Sequence, residues 1–111
     1  MRKLLVWTIT FGLGLVGVNL LTNPARAENA GEALFKTKCA ACHGPDGKGE
    51  TTMGKANKLR DLSSPDVQKE SDAELAAIIT NGKGKMPAYG KSLKPEQVKD
   101  LAAYIRSLGK K

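Results

Sequence analysis

The chain carries its only two cysteines and its only histidine in one pentapeptide, Cys39-Ala40-Ala41-Cys42-His43. On a helical turn, residues at positions i, i+3 and i+4 share one face, so the two thiols and the imidazole project to the same side. Thiols at that spacing can each form a thioether to a vinyl group of one porphyrin, while the histidine reaches the iron. The C-x-x-C-H pattern is the attachment signature of c-type haem. The sequence therefore predicts one covalently attached haem c, bound by Cys39, Cys42 and His43.

Three other uses of the pentapeptide fit the rest of the sequence less well. A redox disulfide of the thioredoxin kind needs a surrounding βαβ pattern, and none is present. A zinc site needs four ligands and an iron–sulfur cluster needs more than two thiolates. The chain has no further Cys or His to supply them. Haem attachment is the interpretation that the residues favour.

The first 27 residues have the pattern of an export signal. Arg2 and Lys3 precede the uncharged residues 4–21, and Ala25-Arg26-Ala27 has the small-x-small pattern of a signal-peptidase site. An uncleaved membrane anchor is the alternative, because about 18 apolar residues just span a bilayer. Three glycines dilute this stretch, and no positive cluster follows it. We therefore expect residues 1–27 to be a cleaved signal peptide and residues 28–111 to form a domain exported to the periplasm or an equivalent compartment.

Composition limits what the exported domain can be. Cleavage after Ala27 leaves 84 of the 111 residues and, by removing Arg2, Lys3 and Arg26, lowers the formal charge from +7 to +4. It also removes the only Trp and one of the two Phe. A domain this small usually needs disulfides, a metal or a cofactor to complete its core. The composition argues against a self-sufficient enzyme with a deep cleft, and a haem would supply the missing apolar surface.

The residues after Ala27 have helical periodicity and no alternating β pattern longer than three residues. Helices are predicted over residues 30–41, 65–69, 71–81 and 95–108, with Gly- and Pro-rich loops at 44–58 and 81–91. Ser71-Asp72-Ala73-Glu74 is a capping box, and Pro95 is a favoured first helical residue. The predicted fold class is all-α, with three to five short helices wrapped around one haem.

The candidates for the sixth ligand of the iron can be reduced by elimination. His43 is the only histidine, so a second histidine ligand within this chain is excluded. Once Met1 leaves with the signal, Met53 and Met86 are the remaining thioether ligands. Met86 lies in a Gly- and Pro-rich loop, where core packing is not the default role. Met86 is therefore favoured over Met53, which we expect to pack near the haem edge or to lie in solvent.

Two loop segments resemble those of class I c-type cytochromes, in particular the short bacterial or photosynthetic c6-like kind. Residues 42–49, Cys-His-Gly-Pro-Asp-Gly-Lys-Gly, resemble the family's segment after the haem motif. Residues 84–89, Gly-Lys-Met-Pro-Ala-Tyr, resemble its axial-methionine loop. The resemblance implies the small cytochrome c fold, with His43 and Met86 as the axial iron ligands.

The resemblance extends to the ends of the domain and covers nearly all of residues 29–109. Gly31 and Phe35 resemble the packing residues of the family's first helix, and Leu101 and Tyr104 resemble their partners on its last helix. One position departs from the pattern. The family often has a proline after the haem motif, whose carbonyl accepts the ring N–H of the proximal histidine. Residues 47–63 contain none, so the sequence does not name an acceptor for His43.

The resemblance implies a one-electron carrier rather than an enzyme, because His/Met ligation leaves no open iron position. The alternatives are a haem c subunit of a periplasmic oxidoreductase, or a small haem peroxidase or sensor with a labile sixth ligand. We expect a monomer without nucleic-acid partners. Membrane contact is expected only through a partner or a retained N-terminal anchor.

Basic side chains lie beside both haem motifs in the sequence. They form a candidate rim that would steer an acidic redox partner, made of Lys36, Lys38, Lys83, Lys85 and Lys91. Solubilising surface lysines are the alternative. Arg60, with Lys55 and Lys58 as neighbours, is a candidate for neutralising the haem propionates.

Overall fold

The computed structural model describes residues 23–111 together with Gly12 and Gly14. Arg2 and Lys3 lie outside the described residues, as does the uncharged stretch at 4–21 apart from those two glycines. No helix of the described part is long and apolar enough to cross a membrane. The signal peptide stays a prediction.

Helices make up most of the described domain. They are α1 (Pro24–Lys38), α2 (Ala40–His43), α3 (Thr52–Ala56), α4 (Pro65–Gln68), α5 (Asp72–Asn81) and α6 (Pro95–Leu108). Between residues 23 and 111 no strand forms, and an isolated antiparallel bridge joins Lys83 to Met86. The all-α prediction is confirmed, with six helical segments in place of three to five.

The C-terminal half follows the predicted bounds to within one residue. In α5, the Ser71 hydroxyl accepts the Glu74 amide, and the Glu74 carboxylate accepts the Ser71 amide. This is the predicted capping box, which satisfies two amides that a helix start otherwise leaves without partners. Pro95 is the first residue of α6, as predicted.

The N-terminal half departs from the predicted bounds. α1 begins at Pro24 instead of residue 30, because the Asn23 side chain accepts the Ala25 amide and proline suits the first turn. The predicted continuous helix over 30–41 is interrupted at Cys39, which separates α1 from α2. α3 forms inside the predicted loop at 44–58, where Thr51 caps it by accepting the Gly54 amide.

The core is centred where α1 crosses α6. A Cβ atom on Gly31 would lie 2.0 Å from the Asp100 carbonyl oxygen, so the two backbones meet directly at this glycine. One turn later the Phe35 side chain is fully buried, with its ring centroid 5.2 Å from that of Tyr104. Leu101 is equally buried on α6. These are the four packing residues that the sequence resemblance implied.

α6 is also fastened to the connection between α4 and α5. The Gln68 amide donates to the Ile105 carbonyl at 2.9 Å. The Arg106 guanidinium donates to the Gln68 and Glu70 carbonyls and to the Asp72 carboxylate. The position of α4 and α5 relative to α6 is thereby fixed, and with it one wall of the cavity described next.

Candidate haem site

The pentapeptide folds as an interruption followed by one helical turn. Cys39 has φ −118° and ψ −30° and follows the last residue of α1, and α2 covers Ala40–His43. The Cys39 carbonyl accepts the amides of Cys42 at 3.2 Å and His43 at 2.9 Å. Cys39, Cys42 and His43 consequently lie on the wall of one cavity, as the helical spacing predicts.

Two adjoining cavities lie beside the pentapeptide. The larger, of about 710 Å³, extends from Cys42 to the loop that contains Met86. The smaller, of about 290 Å³, has a mainly aliphatic wall that includes Leu59, Leu62, Val67, Leu75, Ile78, Ile79, Leu101 and Ile105. Cofactor clefts typically enclose ~300–1,000 Å³ and are predominantly apolar. The size and lining of these cavities fit a flat apolar macrocycle.

The His43 ring is a neutral imidazole suited to metal ligation. Burial lowers its pKa, so the ring keeps a free lone pair at neutral pH. The Phe35 ring lies beside it, with centroids 6.2 Å apart. The Nδ1 atom is buried and has no hydrogen-bond partner among the described residues. Thus no group in this part of the chain takes the place of the proline carbonyl that the family often provides.

The two cysteines are free thiols and are half-buried. Burial raises the pKa of the Cys39 thiol to about 11, with a smaller contribution from Cys42. A thiolate at this position is therefore disfavoured. A thioether carries no titrating proton, so haem attachment at Cys39 would replace an ionisable sulfur by a neutral one that suits the cavity wall.

Met86 and Met53 lie differently with respect to the cavities. Met86 is partly buried against the core and lines both cavities, as His43 does. Its amide and carbonyl are both hydrogen-bonded to Lys83, at 2.9 and 3.2 Å. Met53 lies on α3 with 52% of its surface exposed and lines only the larger cavity. The structure therefore brings Met86, and not Met53, into the smaller aliphatic cavity with His43.

The rim of the larger cavity contains some of the predicted lysines. It includes Lys38, Lys58, Lys83 and Lys85, which we call the lysine rim. Lys36 and Lys91, also expected at the rim, are absent from the lining of both described cavities. Lys36 instead pairs with Glu32 at 3.0 Å, one helical turn earlier in α1. Of the five lysines predicted beside the haem motifs, Lys36 and Lys91 thus lie outside the lining of these cavities, and Lys58, which was not among the five, belongs to it.

Arg60 lines the smaller cavity together with Lys58, whereas Lys55 does not. Its guanidinium lies 3.6 Å from the Glu70 carboxylate, which also faces this cavity. The Glu70 Oε2 atom is buried without a hydrogen-bond partner among the described residues. Of the three basic residues considered for the propionates, Arg60 and Lys58 are placed at the cavity.

The connection between α3 and the pentapeptide was not predicted from the sequence. The Thr51 hydroxyl donates to the Cys42 carbonyl while it accepts the Gly54 amide. A Cβ atom on Gly54 would lie 2.2 Å from the Gly49 carbonyl oxygen, so this helix fits only with glycine there. The N-capping threonine was the signal for this helix, but the surrounding glycines favoured a loop.

Comparison with known proteins agrees with this geometry. A family model described as cytochrome c oxidase, cbb3-type, subunit III, matches residues 26–105. Cytochrome c6 of Gloeothece citriformis is 38% identical over 108 residues, which are 93% of this chain and 92% of that protein. Cytochrome c6 of Nostoc sp. is 40% identical over 106 residues, or 90% and 91% of the two chains.

A solved structure also shares the fold. The KustC0563 c-type cytochrome superposes with a TM-score of 0.66 at 31% identity, covering 70% of this chain and 95% of that one. Nearly all of that cytochrome thus superposes on this chain. Taken with the sequence relatives and the cavity beside the pentapeptide, this shows that the chain belongs to the c6-like class I c-type cytochromes, which carry one covalently bound haem c.

Proposed function

We propose that this protein carries single electrons between exported or membrane-bound redox proteins. In this proposal Cys39 and Cys42 form the thioethers, and His43 and Met86 are the axial ligands. The observation that carries the proposal is that His43, on α2, and Met86, in the α5–α6 loop, line the same two cavities. With both axial positions taken by the chain, no iron position is left for a substrate, which favours a carrier over a peroxidase or sensor.

The bound haem supplies a one-electron ferrous–ferric couple. The chain's own residues set the conditions for it. Met86 offers a soft thioether, which favours the reduced iron and raises the potential. The aliphatic wall of the smaller cavity excludes water, and the two thioethers hold the cofactor against α2.

Met86 can be tested against Met53, the matched control in the same chain. Met86→Ala should lose the weak far-red absorption band of sulfur–iron ligation, bind carbon monoxide when reduced, and have a lower potential. Met53→Ala should keep the band, the resistance to carbon monoxide and the potential of the wild type. If the two variants exchange these properties, Met53 is the ligand. Absence of the band from the wild-type protein would rule out methionine ligation of the iron.

Covalent attachment has its own test. Acid–acetone treatment should leave the pigment on the polypeptide, because thioethers survive conditions that release bound haem b. Replacing Cys39 or Cys42 alone by Ala should lower the yield of holoprotein, and replacing both should abolish it. Pigment in the organic phase would contradict the proposed attachment.

The lysine rim favours a redox partner whose docking surface is acidic. Exposed charges act over about 10 Å at 0.1 M ionic strength, so steering by the rim should weaken with salt. Lys83→Glu with Lys85→Glu should slow stopped-flow oxidation by ferricyanide, an anion, more than Lys110→Glu with Lys111→Glu, which changes the charge equally. A cationic cobalt(III) phenanthroline oxidant should show the opposite order. Equal effects of the two double variants would make the rim a solubilising surface only.

The matched family model favours a second candidate, a haem c component of a larger oxidase. The two functions are distinguished by fractionating cells of the source organism and staining for covalent haem. A carrier should be recovered in the soluble exported fraction as a monomer whose N-terminus is Glu28. Co-migration with an oxidase in detergent-solubilised membranes would support the second candidate, and an intact Met1 would indicate a retained anchor.

A further inference from the structure

The interruption at Cys39 leaves carbonyls in the last turn of α1 without amide donors, and that of Lys38 is one of them. The amides of Cys42 and His43 both bond to the Cys39 carbonyl, and no described amide donates to the carbonyl of Lys38. Carbonyls in the last turn of a helix need partners from outside the helix. Here the partner is the Tyr89 hydroxyl, which donates to the Lys38 carbonyl at 3.1 Å across 51 residues of sequence.

Tyr89 lies in the α5–α6 loop, three residues after Met86. The other hydrogen bonds of this part of the loop return to α5 or stay within the loop. The Tyr89 amide donates to the Ile79 carbonyl and the Gly90 amide to the Thr80 carbonyl, both at 3.0 Å. Among the described residues, the Tyr89 hydroxyl therefore makes the one hydrogen bond between the Met86 loop and the cysteine side of the cleft.

Apart from the partly buried Met86 side chain, the tip of the loop is hydrogen-bonded only to itself, through the pair of bonds between Lys83 and Met86. A Cβ atom on Gly84 would meet nothing within 4 Å, and Lys85 and Pro87 are exposed. Tyr89 is half-buried on the wall of the larger cavity. Burial raises its pKa, so its hydroxyl keeps the donated proton at neutral pH.

We infer that Tyr89 is a positioning residue, whose hydroxyl holds the Met86 loop against the end of α1 and so keeps the methionine sulfur at the iron. The inference rests on the proposed ligation by Met86. For another ligand to replace Met86, the loop must move away from the cysteine side, which breaks the bond to Lys38. The bond therefore stabilises the closed loop without contacting the iron.

Tyr89→Phe removes the hydroxyl and keeps the ring. Tyr104→Phe is the matched control, because it removes a hydroxyl from the α1–α6 contact rather than from the loop. Each ferric holoprotein is titrated with imidazole, and loss of the far-red band reports displacement of Met86. Tyr89→Phe should bind imidazole about fivefold more tightly than the wild type, equivalent to about 1 kcal/mol at 1.4 kcal/mol per factor of ten. This is the typical net contribution of one hydrogen bond. Tyr104→Phe should bind as the wild type does.

The alternatives give different results. Unchanged imidazole affinity in Tyr89→Phe, or equal changes in both variants, would overturn the inference. A lowered unfolding temperature without a change in imidazole affinity would show that the bond only caps α1. If the wild type lacks the far-red band, ligation by Met86 fails. Hydrogen exchange of the Met86 amide then tests only whether the bond from Tyr89 to Lys38 holds the loop. Exchange about fivefold faster in Tyr89→Phe supports this role, and an unchanged rate rejects it.

Discussion

Gly31→Ala adds one methyl group where the backbones of α1 and α6 meet. Its carbon would lie 2.0 Å from the Asp100 carbonyl oxygen, 2.6 Å from the carbonyl carbon and 2.9 Å from the Tyr104 Cβ atom. Non-bonded heavy atoms attract best at ~3.5–4.0 Å. The closest obstructing atoms belong to the backbone and cannot rotate away, so the two helices must separate by more than an ångström.

Two opposing effects set the size of the change. Alanine is favoured over glycine in a helix interior by about 1 kcal/mol. Overpacking costs about 1–3 kcal/mol, and the rigid backbone obstruction places this contact at the upper end. We therefore expect a net loss of about 2 kcal/mol of unfolding free energy, or a fall of about 8–16 °C in Tm for a domain of this size.

The measurement is thermal unfolding of the holoprotein, followed by far-UV circular dichroism. Ala33→Gly is the control, because Ala33 is exposed on the same helix and tests propensity alone. It should lose about 1 kcal/mol. If Gly31→Ala is as stable as the wild type or more stable, the close approach of α1 and α6 is not what requires glycine.

Three further predictions concern the cofactor, a helix cap and the connection to α6. The chain with both Cys39→Ala and Cys42→Ala should bind no haem and show much lower helicity by circular dichroism, because the aliphatic cavity wall loses its partner; a cooperatively melting helical apoprotein would contradict this. Ser71→Ala should cost about 1 kcal/mol in thermal unfolding. It should reduce the loss of stability in acid only in part: the Ser71 amide, which alanine keeps, is the larger cause of the lowered pKa of Glu74, and the Ser71 hydroxyl is the smaller one. Both contributions are present above the ordinary pKa of 4.5 and are lost as the pH falls through the lowered pKa of the folded state. Arg106→Lys keeps the charge but not the forked set of bonds to two carbonyls and a carboxylate, and should cost about 2 kcal/mol in guanidinium unfolding; a change below 0.5 kcal/mol, on the scale of ordinary surface substitutions, would show that these bonds add little.

Local signals predicted the helices whose ends they specify. α5 has a complete capping box at Ser71 and Glu74, so its start depends on neighbouring residues only. α3 was missed because it depends on a distant contact: the Thr51 hydroxyl bonds to the Cys42 carbonyl, and Gly54 packs against the Gly49 backbone. Helix propensity depends on local sequence and does not include such tertiary contacts, and two nearby glycines favour a loop over a helix.

The same distinction applies to the haem site. The pentapeptide specifies its own geometry, because Cys39, Cys42 and His43 lie within one turn and are placed on one wall as predicted. The aliphatic wall is assembled from separate segments, so its members Leu59 and Leu62 carried no signal in the sequence. The bond between the Tyr89 hydroxyl and the Lys38 carbonyl joins residues 51 apart in the sequence, so no local pattern predicts it.

The buried Nδ1 atom of His43 bears on whether electrons and protons move together. A ring N–H that donates to a base passes part of its proton to that base, which strengthens the donation of the other nitrogen to a metal. No described residue accepts from Nδ1. If His43 binds the iron as proposed, no described residue offers its Nδ1 proton a base to move to when the iron changes charge. In the proposed carrier, the histidine would then couple electron transfer to the pH of the compartment only weakly.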